Sequence, residues 1–513
     1  MPGLKSRKQN ETNMKKYQII TLALAASVVA VSCMKAEGFA FEGDYYVGMS
    51  EDGETEELSG DRFDEIKENA FVKVSEQPTS TFSVDADGAA YAYMRRCISN
   101  GRMPDRNSVR VEEYLNYFTF DYADPTGDET VSINAEVGDC PWNPQHKLLR
   151  LGLKGKSLKD SEIPDANYIL LIDTSGSMQG ADRIDLIKTG LCTMIDYMKP
   201  TDRIAIITYS GEVKMLLEST LVKDASKIKA AIKKLQASGC TAGGAAMKMA
   251  YDEATEHYIK GGNNRIIMCT DGDFNVGVSN TEALVEMVES YLDKGIYLSI
   301  MGFGAGNFQD SRMESLSNHG NGTYTYVDSE EEMMKVFVNE RSHFYAVAND
   351  TKCQITFKGE AVDSYRLIGY ENRVMSNEDF DNDKKDAGEI GAGQTITALY
   401  EIVPAEGFKA DEGLARFDVR YKLALGGESR PLGLDISVPA LDDKGSISAA
   451  ASENLRFAAG VTAYALCLRN SEYKADATPL MALELVQSSL GEDEGGFRKQ
   501  LAGLIDKAYK MMD

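Results

Sequence analysis

The sequence predicts a doubly wound α/β domain set between an N-terminal α+β region and a C-terminal β-rich region that ends in helices. Three observations carry that expectation. Residues Tyr168–Ile172 form an unbroken apolar run, as a strand buried on both faces requires. From there to about residue 338, strand-length apolar runs alternate with amphipathic helix-length segments, and strands joined by crossover helices demand a mostly parallel sheet. Beyond His343 the segments become short and alternating between Gly/Asp-rich turns, the pattern of antiparallel β structure.

At 513 residues the chain exceeds one core and has room for two or three domains. Met14 is read as the start, with Met1–Asn13 as upstream sequence. Lys15 and Lys16 then precede the apolar run Ile19–Val31, which closes on Ala30-Val31-Ser32-Cys33. A charged lead, a short apolar stretch and small residues at its end make a secretory signal, and the run is too short to span a bilayer. The cysteine directly after it resembles a bacterial lipobox. That resemblance implies cleavage before Cys33, lipid on its thiol, and a chain anchored in the cell envelope, periplasmic or surface-exposed. Residues 34–78 carry Glu51, Asp52, Glu54, Glu56, Glu57, Asp61, Asp64, Glu65 and Glu68 without sustained apolar periodicity, and are expected to be an acidic disordered tether.

Globular composition begins at Thr79. Ala89–Ser99 and Val109–Phe118 have helical spacing, with Gly101 and Pro104 between them. Glu129–Val137 and Lys147–Leu153 alternate like strands around the turn Asp139–Pro144. In the α/β domain, residues 164–342, strands are expected at Tyr168–Ile172, Arg203–Tyr209, Val213–Leu217, Arg265–Thr270, Ile296–Phe303 and Thr323–Val327. Helices are expected at Arg183–Met198, Ala225–Leu235, Ala242–Tyr258, Thr281–Lys294, Arg312–Ser317 and Glu330–Val338. The β-rich region, 343–445, holds strands at Gln354–Phe357, Ser364–Leu367, Thr395–Ile402 and Ala415–Tyr421. Amphipathic helices over Ala449–Leu468 and Pro479–Met511 fill 446–513. The strands of 79–163 are expected to pair with those beyond His343, which makes the α/β domain an insertion in a β unit.

Composition narrows the function classes. Lys+Arg 55 against Asp+Glu 80 gives a net charge of −25, without the basic footprint that a nucleic-acid binder needs to displace counterions. Of the eight cysteines, a lipidated Cys33 leaves seven, so at least one is unpaired. Cys192 and Cys269 sit in apolar contexts and read as core residues, while the sequence leaves open whether Cys97 and Cys140 pair. None of the four histidines has zinc-ligand spacing.

Ligands of open α/β sheets bind beyond the carboxyl ends of the strands, at a switch in strand order. Three such places carry oxygen donors here. Asp173-Thr174-Ser175-Gly176-Ser177 follows the first strand; Ser238-Gly239-Cys240-Thr241 precedes the helix at Ala242; Asp271-Gly272-Asp273 follows the strand at Arg265. Hydroxyls and carboxylates without a Cys or His ligand suit a hard cation, Mg²⁺ first, with Mn²⁺ or Ca²⁺ as alternatives. Ser175 and Ser177 can turn to one point across the glycine between them, and Asp173 and Asp271 supply negative charge directly or through water. Asp273 has two readings, a charge beside the metal or a surface turn.

This constellation resembles the metal-ion-dependent adhesion site of the von Willebrand factor type A (VWA) family, a DxSxS loop, a later Thr before a helix and a strand-final Asp-Gly. The resemblance implies a Rossmann-like VWA domain whose metal ligands are Asp173, Ser175, Ser177, Thr241 and Asp271. Thr79–Asp85, Val109–Phe118, Pro141-Trp-Asn-Pro144, Thr270–Gly277 and Tyr365–Asn372 resemble the bacterial YfbK-like VWA proteins, in which regions of their own flank the domain. The adhesion-site resemblance, with the lipobox, implies a non-enzymatic, Mg²⁺-dependent adhesion-type module that docks an Asp or Glu of a partner protein on the ion, held at the membrane by a lipid; the YfbK likeness adds little about function. The alternatives are an envelope scaffold with a structural metal and a metal-assisted hydrolase, which would require a general base that the sequence does not present.

Overall fold

The strand anticipated at Tyr168–Ile172 runs over Ala166–Asp173, and all eight of its residues are buried. A computed structural model describes residues 61–239, 243–272, 281–291, 294–304 and 310–512, which form one unit. The chain begins there with β1 (Val72–Lys73), β2 (Thr79–Ser83), α1 (Ala89–Ser99), α2 (Val111–Asn116), β3 (Val131–Asp139) and β4 (Lys147–Gly155). The inserted segment follows: β5 (Ala166–Asp173), α3 (Ile184–Tyr197), β6 (Arg203–Tyr209), β7 (Val213–Leu221), α4 (Ala225–Ile232), α5 (Gly243–Glu256), β8 (Asn263–Thr270), α6 (Thr281–Glu289), β9 (Tyr297–Phe303), α7 (Asp310–Asn318), β10 (Tyr324–Val327) and α8 (Glu330–Met334). Then come β11 (Ala346–Phe357), β12 (Val362–Ile368), β13 (Val374–Met375), β14 (Gly388–Gly391), β15 (Thr395–Pro404), β16 (Gly413–Lys422) and β17 (Ser429–Ser437). Helices α9 (Glu453–Arg469), α10 (Pro479–Gln487) and α11 (Phe497–Met512) close the chain.

Strands on either side of the insertion do pair. β4 lies antiparallel to β15, Leu151 opposite Ala398, and β2 lies antiparallel to β11, Phe82 opposite Cys353. Two antiparallel sheets result, in the orders β1-β12-β15-β4-β3 and β13-β2-β11-β16-β17, with β14 on β11. Their alternating inward residues, among them Leu149, Leu151, Ile355, Phe357, Tyr400 and Phe417, share one core. Leu148 and Leu399 point the other way, into a core with α1, α2 and the C-terminal helices. The two flanks are therefore one body, and the inserted domain hangs from it at both ends.

The inserted sheet has the order β10-β9-β8-β5-β6-β7, parallel throughout except for β7. Apolar residues of α3, α4 and α8 cover one face, and those of α5, α6 and α7 cover the other. Strand order switches at β5, whose neighbours β6 and β8 lie on opposite sides, and its carboxyl end is the place where open α/β sheets take ligands.

The structure corrects several expectations. The described part of the tether, residues 61–78, packs on the fold: Phe63 meets Tyr93 with ring centroids 5.0 Å apart, Asn69 donates to the Gly369 carbonyl at 2.8 Å, and Val72 pairs with Tyr365. Scattered acidic residues hid these anchors. The single helix expected over Pro479–Met511 is two, because Gly491, Gly495 and Gly496 take positive φ between α10 and α11. β17 was not anticipated, since Pro431 interrupts its pattern; it is an edge strand, where a missing N–H is tolerated. Cys97 and Cys140 are free thiols, as are Cys192, Cys269, Cys353 and Cys467. Cys33 and Cys240 lie outside the described residues.

A buried ionic seam joins insertion and flank. Arg110, at the start of α2, pairs with Glu113 and reaches across to Asp310 and Glu314 on α7. Arg373 pairs with Asp85 at 3.1 Å and donates to Asn318 of α7 at 2.7 Å. Removing one member of such a pair leaves a buried charge without its counterion. Arg110→Met should accordingly cost about 3–5 kcal/mol in urea denaturation. Beside this seam Glu112, 1% exposed, is pushed up to about 8 by burial, with Glu371 and Asp85 adding repulsion. The folded chain thus binds a proton that the unfolded chain releases near pH 4.5, so stability falls as pH rises from about 4.5 through 8. Glu112→Gln should remove that loss and be more stable than the parent by roughly 1–3 kcal/mol at pH 8, with little difference at pH 4, in thermal or urea melts.

Candidate metal site

β5 delivers Asp173, fully buried, to the crest of the sheet, and the chain must turn there. Its carboxylate organises the turn: one oxygen accepts the Ser175 backbone N–H at 2.8 Å, the other accepts the Thr270 hydroxyl at 3.2 Å. Thr270 is the last residue of β8, so the second bond ties the first loop to the strand that carries Asp271. The Thr270 hydroxyl also accepts the Gly272 N–H at 3.0 Å, which fixes the Asp271-Gly272 turn. Gly272 has φ +89, a conformation that favours glycine.

The 238–239 segment is bonded onto the same loop. Ser238 N–H donates to the Thr174 carbonyl at 2.7 Å, and Gly176 N–H donates to the Gly239 carbonyl at 3.0 Å. Thr174 in turn donates through its own N–H to the Tyr209 carbonyl at the end of β6, at 2.9 Å. After the extended Ser175 the chain makes one tight helical turn, Gly176–Met178, anchored by the fully buried Met178. That turn brings the Ser175 and Ser177 hydroxyls 3.0 Å apart, the first buried and the second exposed.

Four of the five expected ligands therefore meet at one crest: Asp173, Ser175, Ser177 and, beyond Thr270, Asp271, which is 2% exposed. Thr241 and Asp273 lie outside the described residues. Thr270, Thr174 and Ser238, whose bonds hold the loops together, carry no motif in the sequence; a hydroxyl closing an apolar strand is the only signal for Thr270.

Electrostatics favour a cation here. Burial pushes the Asp173 carboxyl up to about 7, and the nearby Asp271 adds to the shift against the stabilising bonds from Ser175 and Thr270. Two carboxylates taken out of water beside each other need a positive partner or a proton. Each carboxylate oxygen can accept more than one bond, so the hydrogen bonds to Asp173 do not exhaust it. The donors are all oxygen, which fits Mg²⁺ and its relatives rather than zinc. Elsewhere among the described residues Glu253, Glu256 and His257 also converge, at the carboxyl end of α5, on a half-exposed surface.

Comparison with known proteins agrees with the fold. The family "Uncharacterized protein YfbK, C-terminal" matches residues 342–511, "von Willebrand factor" matches 57–150, and "von Willebrand factor type A domain" matches 168–273. The uncharacterized protein YfbK of Escherichia coli K12 is 37% identical over 483 residues, covering 88% of this chain and 82% of its own. Inter-alpha-trypsin inhibitor heavy chain H3 of Pongo abelii is 28% identical over 176 residues, 33% of this chain and 20% of that protein. A solved von Willebrand factor type A protein from Catenulispora acidiphila aligns with a TM-score of 0.43 at 16% identity, over 72% of this chain and 89% of its own. From its β-rich carboxyl region to its type A domain, the chain belongs to the YfbK family of von Willebrand factor type A proteins.

Proposed function

We propose that the chain is a Mg²⁺-dependent protein-binding module, tethered to the bacterial cell envelope by lipid on Cys33, which docks an acidic residue of a partner protein at the crest of β5. The observation that carries this reading is the buried Asp173, close to a second buried carboxylate and capped by two converging serine hydroxyls. In this reading Ser175, Ser177 and Thr241 offer neutral oxygens, while Asp173 and Asp271 offer charge, directly or through water. A bound divalent ion would supply a positive centre that a partner's Asp or Glu could help to neutralise, as befits Mg²⁺, which uses few protein carboxylates. The type A domain matches support the coarser reading, a fold typical of protein-interaction modules. The task of the site is then to hold a cation and present it.

Membranes bearing the tagged full chain should yield a partner on affinity capture in Mg²⁺ that is lost in EDTA and in Asp173→Ala. Circular dichroism of the variant should remain that of the parent. Saturating Mg²⁺ should raise thermal stability by about 1–3 kcal/mol. Capture that survives both EDTA and Asp173→Ala contradicts the docking role, and a collapse of the fold in EDTA assigns the ion to structure instead.

A further inference from the structure

Helix α1 belongs by sequence to the N-terminal flank, yet one of its faces belongs to the inserted domain. Ala89, Ala92, Tyr93 and Cys97 are buried in that domain's core, beside β10. Between Tyr93 and Cys97 the helix carries two arginines that grip different parts of the insertion. Arg95 donates to Asp328 at 2.8 Å and to Glu332 at 2.7 Å, which bolts the start of α8 to the flank. Arg96 donates to Asp182 at 2.7 Å, with its guanidinium 5.9 Å from the centre of the Tyr326 ring.

Asp182 stands at the far end of the loop that starts at Asp173. Between the buried Met178 and the buried Ile184, residues 179–183 are exposed or half-buried, and Gly180 has φ +147. Next to Asp182, the Arg183 side chain lies over Gly304 at the end of β9, in the space that a Cβ there would take. The Gly304 carbonyl accepts the Tyr326 hydroxyl at 2.5 Å. Arg96, Asp182, Arg183, Gly304 and Tyr326 thus form a continuous set of contacts from the flank to the distal end of the serine loop.

We propose that Arg96 is a positioning residue of the metal site: its ion pair with Asp182 holds the loop after β5, and with it Ser175 and Ser177, in the arrangement that receives the ion. The assignment rests on the Mg²⁺ reading above and adds that the flank, not the type A domain alone, sets the affinity. Serine hydroxyls are neutral, weak ligands, and their contribution depends on the loop being ordered before the ion arrives. A surface ion pair usually contributes little; here the arginine side chain is 17% exposed and rests against an aromatic ring, while Asp182, 36% exposed, also lies 3.5 Å from Arg183. Releasing it returns conformational freedom to residues 179–183, which run on directly from the turn that carries Ser175 and Ser177.

The test uses the full-length chain and four forms of it: wild type, Arg96→Met, Asp182→Asn, and the charge swap that combines Arg96→Asp with Asp182→Arg. Mg²⁺ affinity is read by calorimetric titration, and amide hydrogen exchange of residues 176–183 is read without metal. Arg96→Met and Asp182→Asn should each weaken Mg²⁺ binding about three- to tenfold and speed exchange in the loop while β5 stays protected. The swap should recover part of both. Unchanged affinity and exchange in a folded Arg96→Met chain overturn the proposal. Should Arg96→Met unfold, Asp182→Asn, which keeps the arginine packed, decides by the same readouts. A wild type that takes up no Mg²⁺ overturns the metal reading alone; loop exchange, which needs no metal, then supports the clamp if it rises in the variants and overturns it if it does not.

Discussion

Parallel pairing of β5 with β8 is the constraint on which the site depends. Ile172 lies opposite Cys269, so both strands end at the same level of the sheet, and Asp173 and Asp271 leave it side by side. Neither could be placed there by a local turn, because they are distant in sequence and only the sheet brings them together. Full burial of the first and near-full burial of the second then make their charge costly. A bridging Thr270 hydroxyl and the Ser175 N–H offset part of that cost, and what remains is a demand that a proton or the proposed cation would meet.

The same logic of buried charge holds the insertion to its frame. Arg110 and Arg373 meet α7, Arg95 meets the start of α8, and Arg96 meets the loop after β5, each from a residue of the flanks. These contacts distribute around the inserted domain rather than at its two chain connections. A domain joined only by its entry and exit could swing; this one is gripped by ion pairs that lose their partners if it moves. The flanks pair into one sandwich before they can grip anything, so the frame is a precondition of the site's geometry.

Much of this was legible in the sequence. Continuous apolar runs announced β5 and β8, and the oxygen-bearing residues directly after them announced the crest, because burial on both faces and a switch in strand order leave few other places for Asp173, Ser175 and Asp271. The pairing of the flanks followed from alternation on both sides of the α/β segment. What escaped was long-range or broken in pattern. Residues 61–78 dock through single side chains such as Phe63 and Asn69, which leave no periodicity. β17 carries a proline that edge strands tolerate and sequence patterns penalise. The Arg96–Asp182 pair joins two elements whose proximity only the fold creates, and neither residue is distinguishable from an ordinary surface charge in the sequence.

Uptake of a divalent cation at this crest can be seen in a crystal of the protein grown with Mn²⁺ in place of Mg²⁺ and measured at the manganese edge. An anomalous peak bounded by Ser175, Ser177, Asp173 and Asp271 is expected. A crest without density, or a peak at Glu253, Glu256 and His257 in its place, would contradict it.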